Sequence, residues 1–187
     1  MMKKITGLES IILLLYLSKK NKMDGIRGLT RLEKLLFLLE KERHFSIEGY
    51  HFEADRFGPL EMKVYDDLET LEQMGFITKQ SAETFDTIEY KDIQFHDSKE
   101  YDIKIKPEKY LLTLKGQILA KKIFNSLTKS EREAFNEIIL KFNTLTLTEI
   151  LRYIYTKFEE FARNSQIKNQ ILNSNFGTIK INNLEEE

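Results

Sequence analysis

The sequence predicts an α+β fold: a winged helix-turn-helix with an extended β-wing and a C-terminal helical extension. Three observations carry this. The stretch Phe52 to Ile77, FEADRFGPLEMKVYDDLETLEQMGFI, reads as an extended segment, a corner at Gly58-Pro59, one helix, and a strand opening at Gly75-Phe76. Two helices with capping signals precede it. After Gly75 the apolar period switches from about 3.6 to about 2, and helical spacing returns only at Thr113.

The elements follow in order. Thr6-Gly7-Leu8-Glu9 fits a capping box, in which hydroxyl and carboxylate satisfy each other's backbone N–H groups. It opens a helix to about Ser18 that is apolar nearly all round, as a central helix must be. Thr30-Arg31-Leu32-Glu33 reads as a second box, opening a helix to about Arg43 with Leu32, Leu35, Leu36 and Leu39 on one face. Pro59 suits the first position of the third helix, where its missing N–H costs nothing. Val64, Tyr65, Leu68, Leu71 and Met74 form that helix's apolar stripe, and Gly75 supplies the positive φ that commonly ends a helix. Ile88 and Tyr90 alternate, Ile93 and Phe95 alternate in the opposite phase, and the slip implies a bulge near Lys91-Asp92. Tyr101, Ile103 and Ile105 continue the wing, which Tyr110 to Thr113 closes. Thr113, Thr128 (with Glu131) and Thr146 (with Glu149) each begin a further helix, and Ser165 caps a last one through Leu172. The division is a winged-helix domain over 5–113, a helical extension over 114–172 that packs on it or dimerises beside it, and a flexible acidic tail over 173–187.

The 187-residue chain is 41% hydrophobic, enough for a real core, and its net charge of −1 gives no global push towards nucleic acid. Cysteine is absent, which excludes disulfides and thiolate metal sites. The longest apolar run, Ile11 to Leu17, has seven residues, against the roughly 20 of a spanning helix. The expected location is the cytoplasm.

The order of helices, the FGP corner, MGFI and then YLLTLKG resembles bacterial and archaeal winged-helix regulators. More narrowly, the central stretch resembles the YwgA-like winged-helix family, as does Leu151 to Ser165, although Glu159 stands where that group would have proline. Leu32, Lys34, Leu35, Leu36 and Phe37, followed by Phe57, Gly58 and Pro59, also resemble the Panacea antitoxin domain. The first resemblance implies a winged helix of unsettled role. The second implies toxin neutralisation. Neither implies a catalytic residue.

The functional expectation is a non-enzymatic, DNA-associated winged-helix protein, a transcriptional regulator, with Arg27, Arg31, Lys34, Arg56 and Lys63 as candidate DNA contacts. Charge argues against the usual docking. The third helix carries Glu61, Asp66, Asp67, Glu69 and Glu72 against Lys63, and residues 81–102 hold seven acids against Lys91 and Lys99. Phosphate contacts need the opposite sign. The cations of the first 34 residues, Lys3, Lys4, Lys19, Lys20 and Lys22 among them, either track a DNA backbone from an unusual side or are solvated helix ends. The alternative is a protein-interaction module, antitoxin-like or an adaptor, using Tyr65, Asp66, Asp67, Phe76 and Tyr101 to meet a basic partner. A homodimer is expected if the C-terminal helices keep apolar faces to spare. His51, Glu53 and Asp55 would share one side of an extended segment; this reads as a polar connector edge rather than a metal site, and no cofactor is expected.

Overall fold

The computed structural model describes residues 5–81 and 108–173. The bulge expected near Lys91-Asp92, most of the wing, Tyr101, His96, Lys3 and Lys4 lie outside the described residues. The chain order is β1 (Ile5–Thr6), α1 (Gly7–Lys20), β2 (Ile26–Arg27), α2 (Leu29–Arg43), β3 (Ile47–Glu48), β4 (Glu53–Asp55), β5 (Gly58–Leu60), α3 (Lys63–Gln73), β6 (Ile77–Ser81), β7 (Glu108–Leu112), α4 (Leu114–Ser126), α5 (Lys129–Phe142), α6 (Leu147–Lys157), a 3-10 turn (Glu159–Phe161) and α7 (Lys168–Asn173). The described strands form three small sheets: β1 parallel to β3, the antiparallel order β2-β7-β6, and the β4–β5 hairpin.

Helix α1 is the axle. Residues 11–15 and Leu17 are all buried, and α3, α4, α5 and β7 pack around it. Its capping box forms as the sequence implies, as do those at Thr128 and Thr146, and Thr113 caps α4 through its hydroxyl. Helix α2 is covered by α5 and α6. Residues 114–173 therefore share one buried cluster with the first half of the chain. Phe37 ties α2 to the far end, with ring centroids 5.4 Å from Phe52, 5.4 Å from Phe158 and 4.7 Å from Phe161.

Four local expectations are corrected. Helix α2 begins at Leu29 with Gly28 at its cap, where no side chain caps it. The Thr30–Glu33 box does not form, because Glu33 turns into the interior. Pro59 does not open α3. It pairs with Ala54 inside the β4–β5 hairpin, and the helix starts four residues later at Lys63. A fixed φ near −65° suits an edge strand as well as a first helical turn, so the local signal was ambiguous. In the α3 stripe Val64, Leu68 and Leu71 are buried, but Tyr65 and Met74 are exposed. Ser165 does not stand at the start of α7; its hydroxyl instead meets Tyr155 Oη at 2.9 Å and accepts the Ile167 N–H. Gly75 does end α3 as expected, at φ 72°. Its N–H donates to Glu72 O and the Phe76 N–H to Leu71 O, both at 2.9 Å, the two bonds of a Schellman motif.

Candidate functional site

Helix α3 has a dry face and a wet one. The wet face presents Met62, Lys63, Tyr65, Asp66, Glu69, Thr70, Gln73 and Met74. Among these exposed positions the charged groups are two acids and one base. Besides the buried Val64, Leu68 and Leu71, a chain of polar groups beneath the helix holds it in place.

That chain starts on α2. Residues 31–39 are buried without a break, so the charged residues in the helix's first turns have no solvent face to use. Lys34 is 2% exposed and donates its ammonium to Glu33 Oε2 at 2.6 Å and to Pro59 O at 2.5 Å. The other oxygen of Glu33 accepts the Glu61 N–H at 3.0 Å. The Glu61 carboxylate in turn accepts the N–H of Lys63 at 2.9 Å and the N–H of His51. A carboxylate here also suits the positive end of α3. Further along, Tyr50 donates its hydroxyl to Asp67 Oδ2 at 2.9 Å. One run of hydrogen bonds thus joins α2, the β4–β5 hairpin and the start of α3, and a second joins the 44–51 connector to the middle of α3.

Burial sets the acid–base behaviour. Desolvation lowers the Lys34 pKa despite the opposing pull of Glu33 and Asp55. Burial raises the Asp67 pKa, against the Tyr50 hydrogen bond and Lys63, which lower it. The Tyr50 phenol is pushed far up by burial and by the facing Asp67. Gly7 completes this packing: a Cβ there would overlap Asp67 Oδ2 and the Tyr50 ring.

A testable consequence concerns Tyr50→Phe. The buried Asp67 carboxylate would lose its donor, which costs about 1–3 kcal/mol near neutral pH. Asp67 has a folded-state pKa above its unfolded value, so the folded state binds the extra proton, and stability falls as pH rises through that window. Protonated Asp67 does not need the Tyr50 donor in the same way. The cost of Tyr50→Phe should therefore be smaller at pH near the unfolded carboxylate value than at neutrality, read by urea unfolding at both.

Of the candidate DNA contacts, Arg27, Arg56 and Lys63 are exposed, on β2, at the β4–β5 turn and on α3 respectively. The expected roles of Arg31 and Lys34 are corrected by their burial, 6% and 2% exposed. Arg31 donates to the carbonyls of Leu145 and, at 3.4 Å, Asn143, a cation placed where the α5 carbonyls run out. Lys34 is committed to Glu33 and Pro59. Of the candidate protein contacts, Tyr65 and Asp66 are exposed. Asp67 is corrected: it is buried against Tyr50. Phe76 is half-buried under the Lys115 ammonium, 4.5 Å from the ring centroid.

Beside the start of α3 lies a cavity of 530 Å³ lined by Glu40, His44, Glu48, Tyr50 and His51. It adjoins α3 through His51 and through Gly49, against which the Lys63 side chain rests. Among the described residues no three His, Asp or Glu side chains gather as a metal site, so His51, Glu53 and Asp55 do not form one. No helix among the described residues is long and apolar enough to cross a membrane.

Sequence reasoning missed the Glu33, Glu61 and Tyr50 roles. The signal for Glu33 was present: Leu35 to Leu39 are apolar without interruption, so α2 is a buried helix and a charge pair in its first turns must be buried too.

No curated protein matches the chain. A family model, described as antitoxin SocA-like, Panacea domain, matches residues 32–160. The match begins at the α2 segment that carries Glu33 and Lys34, includes the hairpin and α3, and ends in the 3-10 turn that packs on Phe37. Of the two resemblances read from the sequence, it falls on the one to the Panacea domain. The chain belongs to the antitoxin SocA-like, Panacea domain family.

Proposed function

We propose that this chain is a non-enzymatic protein-binding module of the antitoxin kind, built on a winged helix, that holds a partner protein against the outer face of α3 and the neighbouring 44–51 connector. The family match over residues 32–160 carries this reading. The geometry supports it in two ways. The face is rigidly backed by the Glu33–Lys34–Glu61 and Tyr50–Asp67 bonds, which limits the ordering cost of binding. It also combines exposed apolar area at Met62, 62% exposed, with the acids Asp66 and Glu69. Such a face fits a basic partner surface with apolar spots.

The test uses the full chain as bait in extracts of its native host, beside a Tyr65→Ala variant. The expected result is a protein recovered by the native chain and lost from the variant. That protein arrests growth when expressed alone, and co-expression of this chain relieves the arrest. Recovery of the bait alone, or of a protein harmless to growth, overturns the reading.

A DNA-associated regulator is the competing reading. Against it stand the burial of Arg31 and Lys34 and the acids of the α3 face. A random-sequence duplex titrated between roughly 50 and 200 mM salt separates the two. We expect no salt-sensitive binding; micromolar binding that collapses with salt would restore the DNA reading.

A further inference from the structure

We infer that the chain forms a two-fold dimer in which the outer face of α3 of each copy packs against the outer face of α4 of the other. The second copy takes the α3 face that the antitoxin reading gives to a partner protein, so the dimer is the form of the free chain and the two contacts are mutually exclusive. The dimer rests on two faces of the same molecule that complement each other in charge and in apolar placement.

Helix α4, LKGQILAKKIFNS, contains no acidic residue. The helix packs on α1; on its buried side Ala120 and Ile123 are covered and Gly116 sits against the Phe76 carbonyl. Its outer side presents Leu114, 74% exposed, and Ile118, 55% exposed, followed by Lys121, Lys122 and Asn125. Leu114 and Ile118 lie one turn apart on one stripe. Neither Lys121 nor Lys122 has an ion-pair partner among the described residues. The outer side of α3 has the reverse character. Asp66 and Glu69 occupy its middle, and Met74, 50% exposed, stands at its end.

The two faces meet at a corner. Thr113 donates its hydroxyl to Gly75 O at 2.7 Å and its N–H to Phe76 O at 3.0 Å. Lys115 donates to Met74 O at 2.8 Å. The end of α3 and the start of α4 are thereby stitched together, with Met74 and Leu114 both exposed there. A two-fold axis near this corner would lay each α3 antiparallel to the partner's α4. The registers agree: eight residues separate Asp66 from Met74, and eight separate Leu114 from Lys122, about 12 Å along either helix. Antiparallel pairing then sets Met74 by the partner's Leu114 and Ile118 while Asp66 and Glu69 meet the partner's Lys122 and Lys121. Because each copy supplies both halves, the contact is isologous and closes on itself. Within one copy the acids and lysines lie on different helices: Glu69 accepts from Gln73 at 3.0 Å, and among the described residues no ion pair joins Asp66 or Glu69 to Lys121 or Lys122.

Charge reversal gives the test. Variant one is Lys121→Glu with Lys122→Glu; variant two is Asp66→Lys with Glu69→Lys. Light scattering should give the native chain twice its 22.2 kDa mass and each variant the single mass, since each alone opposes like charges. Mixed in equal amounts, the variants should regain the double mass, because in the mixed pair both contacts attract. A third variant, Leu114→Ser with Ile118→Ser, should weaken self-association at least tenfold without touching a charge. A native chain that stays monomeric at about 100 μM, a weak limit for a dimer of use, overturns the inference. So does a dimer that survives both reversals, or single variants whose mixture does not reassociate. The α4 variants leave the α3 face intact, so a chain that loses the dimer through Leu114→Ser with Ile118→Ser and still relieves growth arrest separates the two readings.

Discussion

Replacing Lys34 by methionine should destabilise the chain by about 3–5 kcal/mol, the range for removing one partner of a buried ion pair. Methionine fills most of the volume, so the effect is electrostatic rather than a packing loss. Glu33, 2% exposed, would keep one oxygen on the Glu61 N–H and leave the other facing the space vacated by the ammonium. Pro59 O would lose its donor as well. Urea unfolding of native and variant chains measures the difference. The double variant Glu33→Gln with Lys34→Met should be less destabilised than Lys34→Met alone, because the uncompensated charge is gone. A Lys34→Met variant as stable as the native chain would mean that the pair adds nothing to the fold.

The same substitution has a pH signature. The folded-state pKa of Lys34 is lowered below its unfolded value of 10.5, chiefly by desolvation. Below the folded pKa both states hold the proton and this lysine gives no slope. Between the folded pKa and 10.5 the unfolded state binds more protons, so stability rises with pH. Above 10.5 the slope vanishes again. Lys34→Met should remove that rise while leaving the slopes from other groups in place. The rise is the opposite of what a surface lysine with a raised pKa contributes; Lys157, raised by its hydrogen bond to Glu42, works in that other direction.

What the sequence disclosed and what it hid follow from the range of the interactions. Thr6 with Glu9, Thr128 with Glu131, and Thr146 with Glu149 are partners three residues apart, and each box forms. Gly75 is likewise read from its own turn. Thr30 with Glu33 has the same spacing and fails, because Lys34 and the Glu61 N–H, 28 residues away, outcompete the local cap. Asp67 looked like one half of an exposed acidic pair with Asp66. Its side chain goes inward only because Tyr50, 17 residues earlier, offers a hydroxyl and Gly7 leaves the room. Pro59 fits the first turn of a helix by its own φ, yet it sits in a strand because Ala54 pairs with it. The acid content of the α3 face was legible from composition. Which acids face out was not, since that depends on what α3 packs against.

Gly116→Ala should lower stability even though helix propensity alone predicts a gain. Alanine is favoured over glycine in a helix interior by about 1 kcal/mol, and the φ of Gly116 is not in the left-handed region. Gly116 is buried, and an added Cβ would overlap the carbonyl oxygen of Phe76 and lie 3.0 Å from its carbon. That oxygen is already fixed from two sides, by the N–H of Thr113 at 3.0 Å and its hydroxyl at 3.2 Å. The obstacle is backbone, so it cannot rotate away as a side chain would. Relief requires α4 to move off the β6 junction, which breaks the Thr113 cap on Gly116 N at 3.1 Å and shifts the packing on α1. The expected loss is about 1–3 kcal/mol, the usual scale of an overpacked site. The corner at Met74 and Leu114 moves with α4, so self-association should weaken alongside the stability of the single chain, whereas Lys122→Ala, at an exposed site, should weaken self-association alone. A Gly116→Ala chain that gains stability in urea would mean that the α4–β6 junction yields easily. The two faces would then not be held in the fixed register on which a two-fold pairing depends.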